Sequence, residues 1–429
     1  MNPIIHAGLC KPPKKGLQAN GTQFQLNGKR FRGIGVNHFS LFWRQIYSNL
    51  GPAVDYDADL KAIKQTWGLP FVRFAVGGYD RTSWLYWYNN RTAYLAMLAN
   101  IVASAEKYGI GLVPVLLWDV RSFCDICYTT AATLQHPAHL ADKTSVAWAN
   151  FQLFISDVVG LLRTSSAVWA WDLTNELSSS CGPEYYSTWL LDGTGVDGGS
   201  TSLSWLNWNT RPDGTTYPAS AKMSLAQSVT FTQEAVRYIQ QTDGFGRIIN
   251  SGNAAGFQAA VGCQTTNSLA ADTLAKWNGD SSIRGMSWLA FRDQNFPTIN
   301  MHIYPQSTSN STFFSGAEKT QSELIVLSRQ WADAVGKPFF LGEFGATRWK
   351  NTTEGVDQVS TDLASETTAF NAALSTVSAN VDVSAVWNYR GDIASVVDTV
   401  PNWMRWDLTA SQRQYQLTAI AAANAAMAI

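Results

Sequence analysis

The chain has 429 residues, 46% of them hydrophobic and 15% charged, and a formal net charge of −1. That length suits two average domains or one large barrel with insertions. The near-neutral charge leaves no basic field for nucleic acid or an anionic membrane surface, and no apolar run approaches the roughly 20 residues of a membrane span.

Taken in order, residues 1–22 read as an extended arm rich in Pro, Lys and Gly. Positions 1–17 carry Pro3, Pro12, Pro13 and four basic or His residues, without the apolar centre of a signal peptide. Residues 24–31 form a hairpin signal, two alternating runs around Asn27-Gly28. The first candidate strand is 32–37, followed by a helix at 55–67 with a Gly68 stop. Strand two is 71–74, and the helix 92–108 ends at Gly109. Strand three, 112–118, contains Pro114, which is awkward in a central strand. A lone C-x-x-C, Cys124 to Cys127, follows it. With only Cys10, Cys181 and Cys263 elsewhere, a structural metal is not expected, and a local disulfide and buried thiols are both open.

The amphipathic helix 145–162 leads into the stretch that organises the chain, 167–177, AVWAWDLTNEL. Its bulky apolar residues read as a short strand, number four, buried on both faces. It ends in the polar triplet Thr174-Asn175-Glu176. A Gly- and Ser-rich insertion at 178–218 is followed by a helix at 219–241 and strand five at 247–251. An irregular stretch runs to Phe296. Strand six is 298–304, then come a helix at 317–335, strand seven at 339–342, a helix at 364–379, strand eight at 383–388 and an Ala-rich helix at 409–427.

Eight apolar strands alternating with helices predict an α/β fold, a (β/α)8 TIM barrel. An open doubly wound sheet competes, but no Gly-rich phosphate loop follows any strand. With no repeat, linker or low-complexity segment, residues 1–429 read as a single catalytic domain, with the arm and hairpin occupying 1–31. The long inserts after strands three, four and five fall on the C-terminal face, where such barrels build their sites.

The strand ends carry chemistry. Strand seven, Phe339-Phe340-Leu341-Gly342, runs into Glu343, so two strands deliver a glutamate, Glu176 and Glu343, at their C-terminal ends. The others end in Asn37 and His38, Arg73, Trp118 and Asp119, Asn175, His302 and Tyr304, and Trp387. A purely structural barrel has no reason to focus so many polar and aromatic groups on one face. Two carboxylates from facing strands match glycoside hydrolysis, which needs a proton for the leaving oxygen and a nucleophile or water at the anomeric carbon. Neighbouring carboxylates push each other's pKa values apart, so one stays protonated while the other is ionised. Arg73 is expected to keep Glu343 ionised, Tyr304 to donate a hydrogen bond to it, and Asn175 to hold a sugar 2-hydroxyl. The 18 Trp, 15 Tyr and 20 Phe supply both a core and platforms for sugar rings.

The ordered set of Arg73, Trp171 to Glu176, His302-Ile303-Tyr304, Gly342 to Gly345 and Trp387 resembles glycoside hydrolase family 5, of the clan of retaining (β/α)8 glycosidases. The resemblance implies Glu176 as acid/base and Glu343 as nucleophile. It also implies a subsite of Arg73, Asn175, His302, Tyr304 and Trp387 around the cleaved sugar. Many cellulases of the family carry His at the end of strand three, where this chain has Trp118-Asp119. That ending is more like the family's β-mannanases, as is the His-x-Tyr-Pro of His302 to Pro305.

The expected substrate is a β-1,4-linked chain, mannan ahead of glucan, cut with retention by carboxyls about 5 Å apart. Aromatics of the insert, Tyr185, Tyr186, Trp189, Trp205, Trp208 and Tyr217, are expected to wall a cleft together with Trp118. Exo action from a closed pocket and a non-catalytic sugar-binding barrel are the alternatives. A metal-dependent hydrolase is a further rival, but it needs clustered ligands and the chain has only five His. No cofactor and no metal are expected. The protein is expected to be a monomer, secreted after loss of a leader.

Overall fold

The computed structural model describes residues 14–46, 55–78, 81–127, 135–177, 225–253, 293–304, 320–345, 363–390 and 413–427, with 223, 312–313, 317–318 and 407–409 between them. It opens with a three-stranded antiparallel sheet, β1 (Leu17–Asn20), β2 (Gln23–Leu26) and β3 (Lys29–Arg30). The β2–β3 turn is Asn27-Gly28, with both φ values positive at 55° and 78°, as a two-residue hairpin of this twist requires. The arm expected up to residue 22 is shorter, because Leu17–Asn20 pairs with β2 in full register.

Eight parallel strands follow: β4 (Gly33–Asn37), β5 (Phe71–Ala75), β6 (Gly111–Leu117), β7 (Trp171–Thr174), β8 (Ile249–Asn250), β9 (Ile299–Ile303), β12 (Phe339–Phe344) and β13 (Val383–Val386). Between β9 and β12 lies a two-stranded ribbon, β10 (Thr312–Phe313) and β11 (Ala317–Glu318). The sheet order is β8-β7-β6-β5-β4-β13-β12-β9, a barrel closed by ladders everywhere except between β8 and β9. Across that seam Thr298 Oγ1 donates to Asn250 Oδ1 at 2.8 Å.

Helices wrap the barrel: α1 (Ser40–Ile46), α2 (Tyr56–Lys61), α3 (Arg81–Asn89), α4 (Arg91–Tyr108), α5 (Val120–Cys124), α6 (Val146–Leu162), α7 (Leu225–Asp243), α8 (Gln321–Ala334), α9 (Leu363–Asn380) and α10 (Gln414–Met427). Their ends follow local chemistry. Ser145 Oγ accepts from Trp148 N at the start of α6, Thr320 and Glu323 cap α8 reciprocally, and Gly109 closes α4 at φ 64°. The helix expected at 317–335 starts later, because Ala317–Glu318 is drawn into the ribbon. Helices α1, α3 and α5 were not legible as elements; each is short and its apolar spacing merges with the preceding strand end.

Strand four is also shorter than its apolar run. Val168 makes an isolated bridge to Leu112, and the β6–β7 ladder proper begins at Val115–Asp172. Pro114 lies in that slip of register on the β7 side and stays paired with Phe74 on the β5 side. Cys124 and Cys127 are buried and not bridged to each other, and burial pushes the Cys127 thiol up to about 12. No helix among the described residues is long and apolar enough to cross a membrane.

The lower end of the barrel is closed by apolar side chains. Leu17 and Phe24, both fully buried, pack with Phe71, Val113, Ala170, Ile248, Phe340 and Val383. Leu17 N donates to Trp169 O and Ile248 N donates to Leu17 O, which sutures β1 to the barrel floor. Phe24→Ala is expected to lower stability by about 3–5 kcal/mol, read from the midpoint of urea unfolding. A shift of less than about 1 kcal/mol would mean that the small sheet merely rests on the barrel.

Candidate active site

The C-terminal ends of the strands converge on one polar cluster. Its first anchor is the triplet after β7. Thr174 Oγ1 donates to Ser251 O, Asn175 N to Leu117 O and Glu176 N to Gly252 O at 2.7, 3.0 and 2.7 Å. The triplet is therefore tied to the neighbouring strand ends on both sides. Glu176 adopts φ +52°, a left-handed conformation that costs a non-glycine residue on the order of 1 kcal/mol. Gly252 makes this approach possible, because a Cβ there would lie 1.8 Å from Thr174 O.

The second anchor is Arg73, fully buried in the middle of β5. Its Nε donates to Asp172 Oδ2 at 2.6 Å, and Nη1 donates to Glu343 Oε1 at 2.8 Å and Asn37 Oδ1 at 2.9 Å. Nη2 donates to Asn175 Oδ1 at 3.0 Å. One planar fork thus joins four strands. Burial pulls the Arg73 pKa down, but the charges of Asp172 and Glu343 more than offset this and leave it above its ordinary value. Asn37 is held in turn by donation from Nδ2 to Gly342 O at 3.0 Å.

Glu343 lies inside β12 rather than beyond its end, as the sequence suggested. The register of β12 slips at Gly342 against both β9 and β13, a bulge that re-aims the next side chain. Both Glu343 oxygens are engaged: Oε1 by Arg73, and Oε2 by Tyr304, whose hydroxyl donates at 2.7 Å. Withdrawal from water and the nearby Glu343 charge raise the Tyr304 pKa well above its ordinary value, so the hydroxyl stays a donor. His302 Nδ1 stands 3.0 Å from Glu176 Oε1 and 3.5 Å from Glu343 Oε1. It bridges the two acids.

The two acids differ in setting. The Glu343 side chain is 6% exposed, against 33% for Glu176. Loss of water around the Glu176 carboxyl raises its pKa, with Arg73 opposing. One ligand atom each of Glu176, His302 and Glu343 lie within 4.8 Å of one another, the one such set of three among the described residues. A cation there would compete with the Arg73 guanidinium, which already holds Glu343 Oε1, an arrangement that suits proton transfer better than metal binding.

An aromatic wall completes the site. Trp118, Trp387 and Phe39 pack together, Phe39 stacking on Trp387 at 5.4 Å and 20°, and Arg73 lies 5.6 Å over the Trp118 ring. Trp43 extends the cluster behind Phe39.

Two predicted residues lie apart from the cluster. His38 is fully buried, with Nε2 3.1 Å from Asp59 Oδ2, while Arg390 Nε donates to the other Asp59 oxygen at 2.6 Å. Through Asp59 it links the segments after β4 and β13. Asp119 caps α5, accepting from Arg121 N and Ser122 N at 3.2 Å. The six aromatics of the 178–218 insert, together with Pro305, lie outside the described residues.

Sequence reasoning missed Asp172, Asn250, Phe39 and Gly252. Asp172 carried a signal, as a lone charge inside an otherwise apolar strand. Phe39 carried none, because an aromatic after a strand is ordinary.

In fold the chain is similar to several solved structures. An endo-1,4-β-mannanase from Rhizomucor miehei superposes with a TM-score of 0.58 at 17% identity, covering 96% of this chain and 99% of that one. A glycoside hydrolase family 5 mannosidase from the same organism gives 0.55 at 10% identity, with 97% and 99% covered. A β-glucanase from Saccharophagus degradans gives 0.54 at 12% identity, with 95% and 93% covered. No protein-family model matches the sequence, and no curated protein does. The shared feature is the (β/α)8 barrel itself.

Gly342 is required by the close approach of His302, since a Cβ would stand 2.8 Å from His302 Nε2 and 3.4 Å from Asn300 Nδ2. Gly342→Ala is expected to displace the imidazole, changing the His302 ring ¹⁵N shifts, and to cost about 1–3 kcal/mol of stability. Unchanged shifts would show that the ring has room to spare.

Proposed function

We propose that this chain is a retaining β-glycoside hydrolase that cleaves a β-1,4-linked glycan, mannan ahead of glucan, and that it belongs with glycoside hydrolase family 5. The carrying observation is the pair Glu176 and Glu343, with one oxygen of each within 4.8 Å and in unlike surroundings. That separation suits direct attack and is too short for an intervening water, which inverting enzymes need at roughly 6.5–9.5 Å.

In this reading Glu176 is the acid. Its raised pKa keeps a proton available, and the glycosidic oxygen takes that proton as the C1–O bond breaks. Glu343 attacks C1, forming a glycosyl-enzyme ester. Its two oxygens are held by Arg73 and Tyr304, so little reorganisation is needed on attack. Glu176, now a carboxylate, takes a proton from water, and the hydroxide equivalent displaces Glu343 with overall retention. Arg73 fixes the Asn175 carbonyl, so the Asn175 Nδ2 is the end offered to a sugar hydroxyl. Trp387 and Trp118 give the sugar an apolar face. Activity falls on the alkaline side as pH rises through the raised Glu176 pKa, because the proton donor is then lost.

The preference for mannan rests on the Trp118-Asp119 ending of strand three and on His302-x-Tyr304, together with the mannanase and mannosidase among the similar folds. A β-glucanase is also among them, so both polymers belong in the assay. The same reading makes residues 1–429 one catalytic domain of a monomer acting outside the cell, where such polymers are found.

Hydrolysis of β-mannan, cellulose and their oligosaccharides, followed by proton NMR, tests the proposal. The first-formed product should be the β-anomer, and a mannohexaose should exceed mannobiose in kcat/KM by about tenfold or more, ~1.4 kcal/mol at the transition state. An α-anomer first, or no hydrolysis of any β-linked glycan, overturns it.

The roles separate by substitution. Glu343→Ala should lose nearly all activity and regain some with azide, a small anion able to occupy the emptied space. Glu176→Ala should lose about 10²–10⁴-fold on glycans yet retain glycosylation by aryl glycosides whose leaving groups need no proton. Identical behaviour of the two variants towards both substrate types would mean the roles are misassigned.

A further inference from the structure

Behind the two glutamates the barrel holds a buried polar relay that the catalytic proposal leaves without a task. Asp172 Oδ2 accepts from Arg73 Nε at 2.6 Å. Asp172 Oδ1 accepts from Asn250 Nδ2 at 2.8 Å, and Asn250 Oδ1 accepts from Thr298 Oγ1 at 2.8 Å. All four residues are fully buried. The relay runs from β5 through β7 and β8 to the residue before β9, across the one seam the barrel ladder leaves open.

A neutral acceptor would also make the Arg73 Nε hydrogen bond, though a weaker one. A second carboxylate on an already paired, fully buried guanidinium needs a reason, since burying one more charge is costly. Among the described residues Arg73 faces three carboxylates: Glu343 directly, Glu176 through its field, and Asp172 from behind. We infer that Asp172 is a positioning residue that shares the Arg73 charge, so that Glu343 is held in place while less of that charge falls on the two acids. This rests on the acid/base and nucleophile roles proposed above.

The other groups facing the two acids are His302, beside both, and Tyr304, on Glu343 Oε2. Removing the Asp172 charge therefore leaves Arg73 acting at full strength on the pair. Both limbs of the activity profile, which belong to the coupled dyad, then move to lower pH.

The relay also predicts how the amide variant is accommodated. In Asp172→Asn the side-chain carbonyl still accepts from Arg73, and the amide N–H must point at Asn250. Asn250 satisfies it by turning over, which sends its own N–H₂ to Thr298, whose hydroxyl can accept as well as donate. Exchanging the pair, Asp172→Asn with Asn250→Asp, keeps the charge and every hydrogen bond while moving the charge one side chain away from Arg73.

The test is the pH dependence of kcat/KM on mannohexaose, whose leaving sugar needs the proton of the acid, for three proteins. The parent chain should give a bell, and absence of any activity in it would defeat the functional reading rather than this one. Asp172→Asn should shift both limbs down by about one pH unit. At the parent optimum it should lose about tenfold in kcat/KM, mostly in kcat, ~1.4 kcal/mol at the transition state. The exchange variant should shift the same way by less. Limbs within 0.2 of a unit of the parent in the folded variants, with only the amplitude lowered, overturn the inference and leave Asp172 a structural acid. Should Asp172→Asn fail to fold, the exchange variant carries the test, and failure of that variant to fold overturns the relay itself.

Discussion

The fully buried guanidinium of Arg73 is the interaction on which the rest of the site depends. An unpaired charge in the interior of a protein is prohibitively costly, and removing one partner of a buried pair costs roughly 3–5 kcal/mol. Arg73 is tolerated because Asp172, Asn37, Glu343 and Asn175 accept four of its five N–H groups, and those four residues come from three further strands. The barrel must therefore close in one register for the charge to be satisfied. A slip of one residue in β7 would carry Asp172 to the opposite face and leave Arg73 unpaired. The demand for charge compensation and the geometry of the site are one constraint.

Backbone irregularities finish what the strands begin. Regular β structure alternates its side chains and would send consecutive residues to opposite faces. The bulge at Gly342 and the left-handed turn at Glu176 break that alternation where the two acids must point at each other. Each depends on a close approach: Gly342 to the His302 ring and Gly252 to Thr174 O. Local strain of this kind persists only when surrounding bonds over-determine it, as the three tethers of Thr174, Asn175 and Glu176 do.

The barrel is accordingly divided along its axis. Its floor is an apolar plug that includes two side chains, Leu17 and Phe24, from outside the barrel. Its upper half is a hydrogen-bonded network of Asn37, Arg73, Asp172, Asn250 and Thr298, over which Trp118, Trp387 and Phe39 stand as a wall. The apolar packing lies below and the polar cluster above, the usual division in this architecture.

The sequence by itself determined the eight strands, most of the long helices, and the set of residues at the strand ends, because period and turn residues are local properties. Gly109, Ser145 and Asn27-Gly28 act within a few residues of themselves and were read correctly. Residue order along each strand was enough to name Arg73, Asn175, Glu176, His302, Tyr304, Glu343 and Trp387, which the structure brings into one cluster. Tertiary structure decided the rest. It set His38 beside Asp59 and Asp119 at the start of α5, contacts with partners that no local pattern specifies. It also supplied Asp172, Asn250 and Thr298, whose roles exist only across strands 99, 78 and 48 residues apart in the chain. A buried charge is defined by what surrounds it, and no local pattern encodes that.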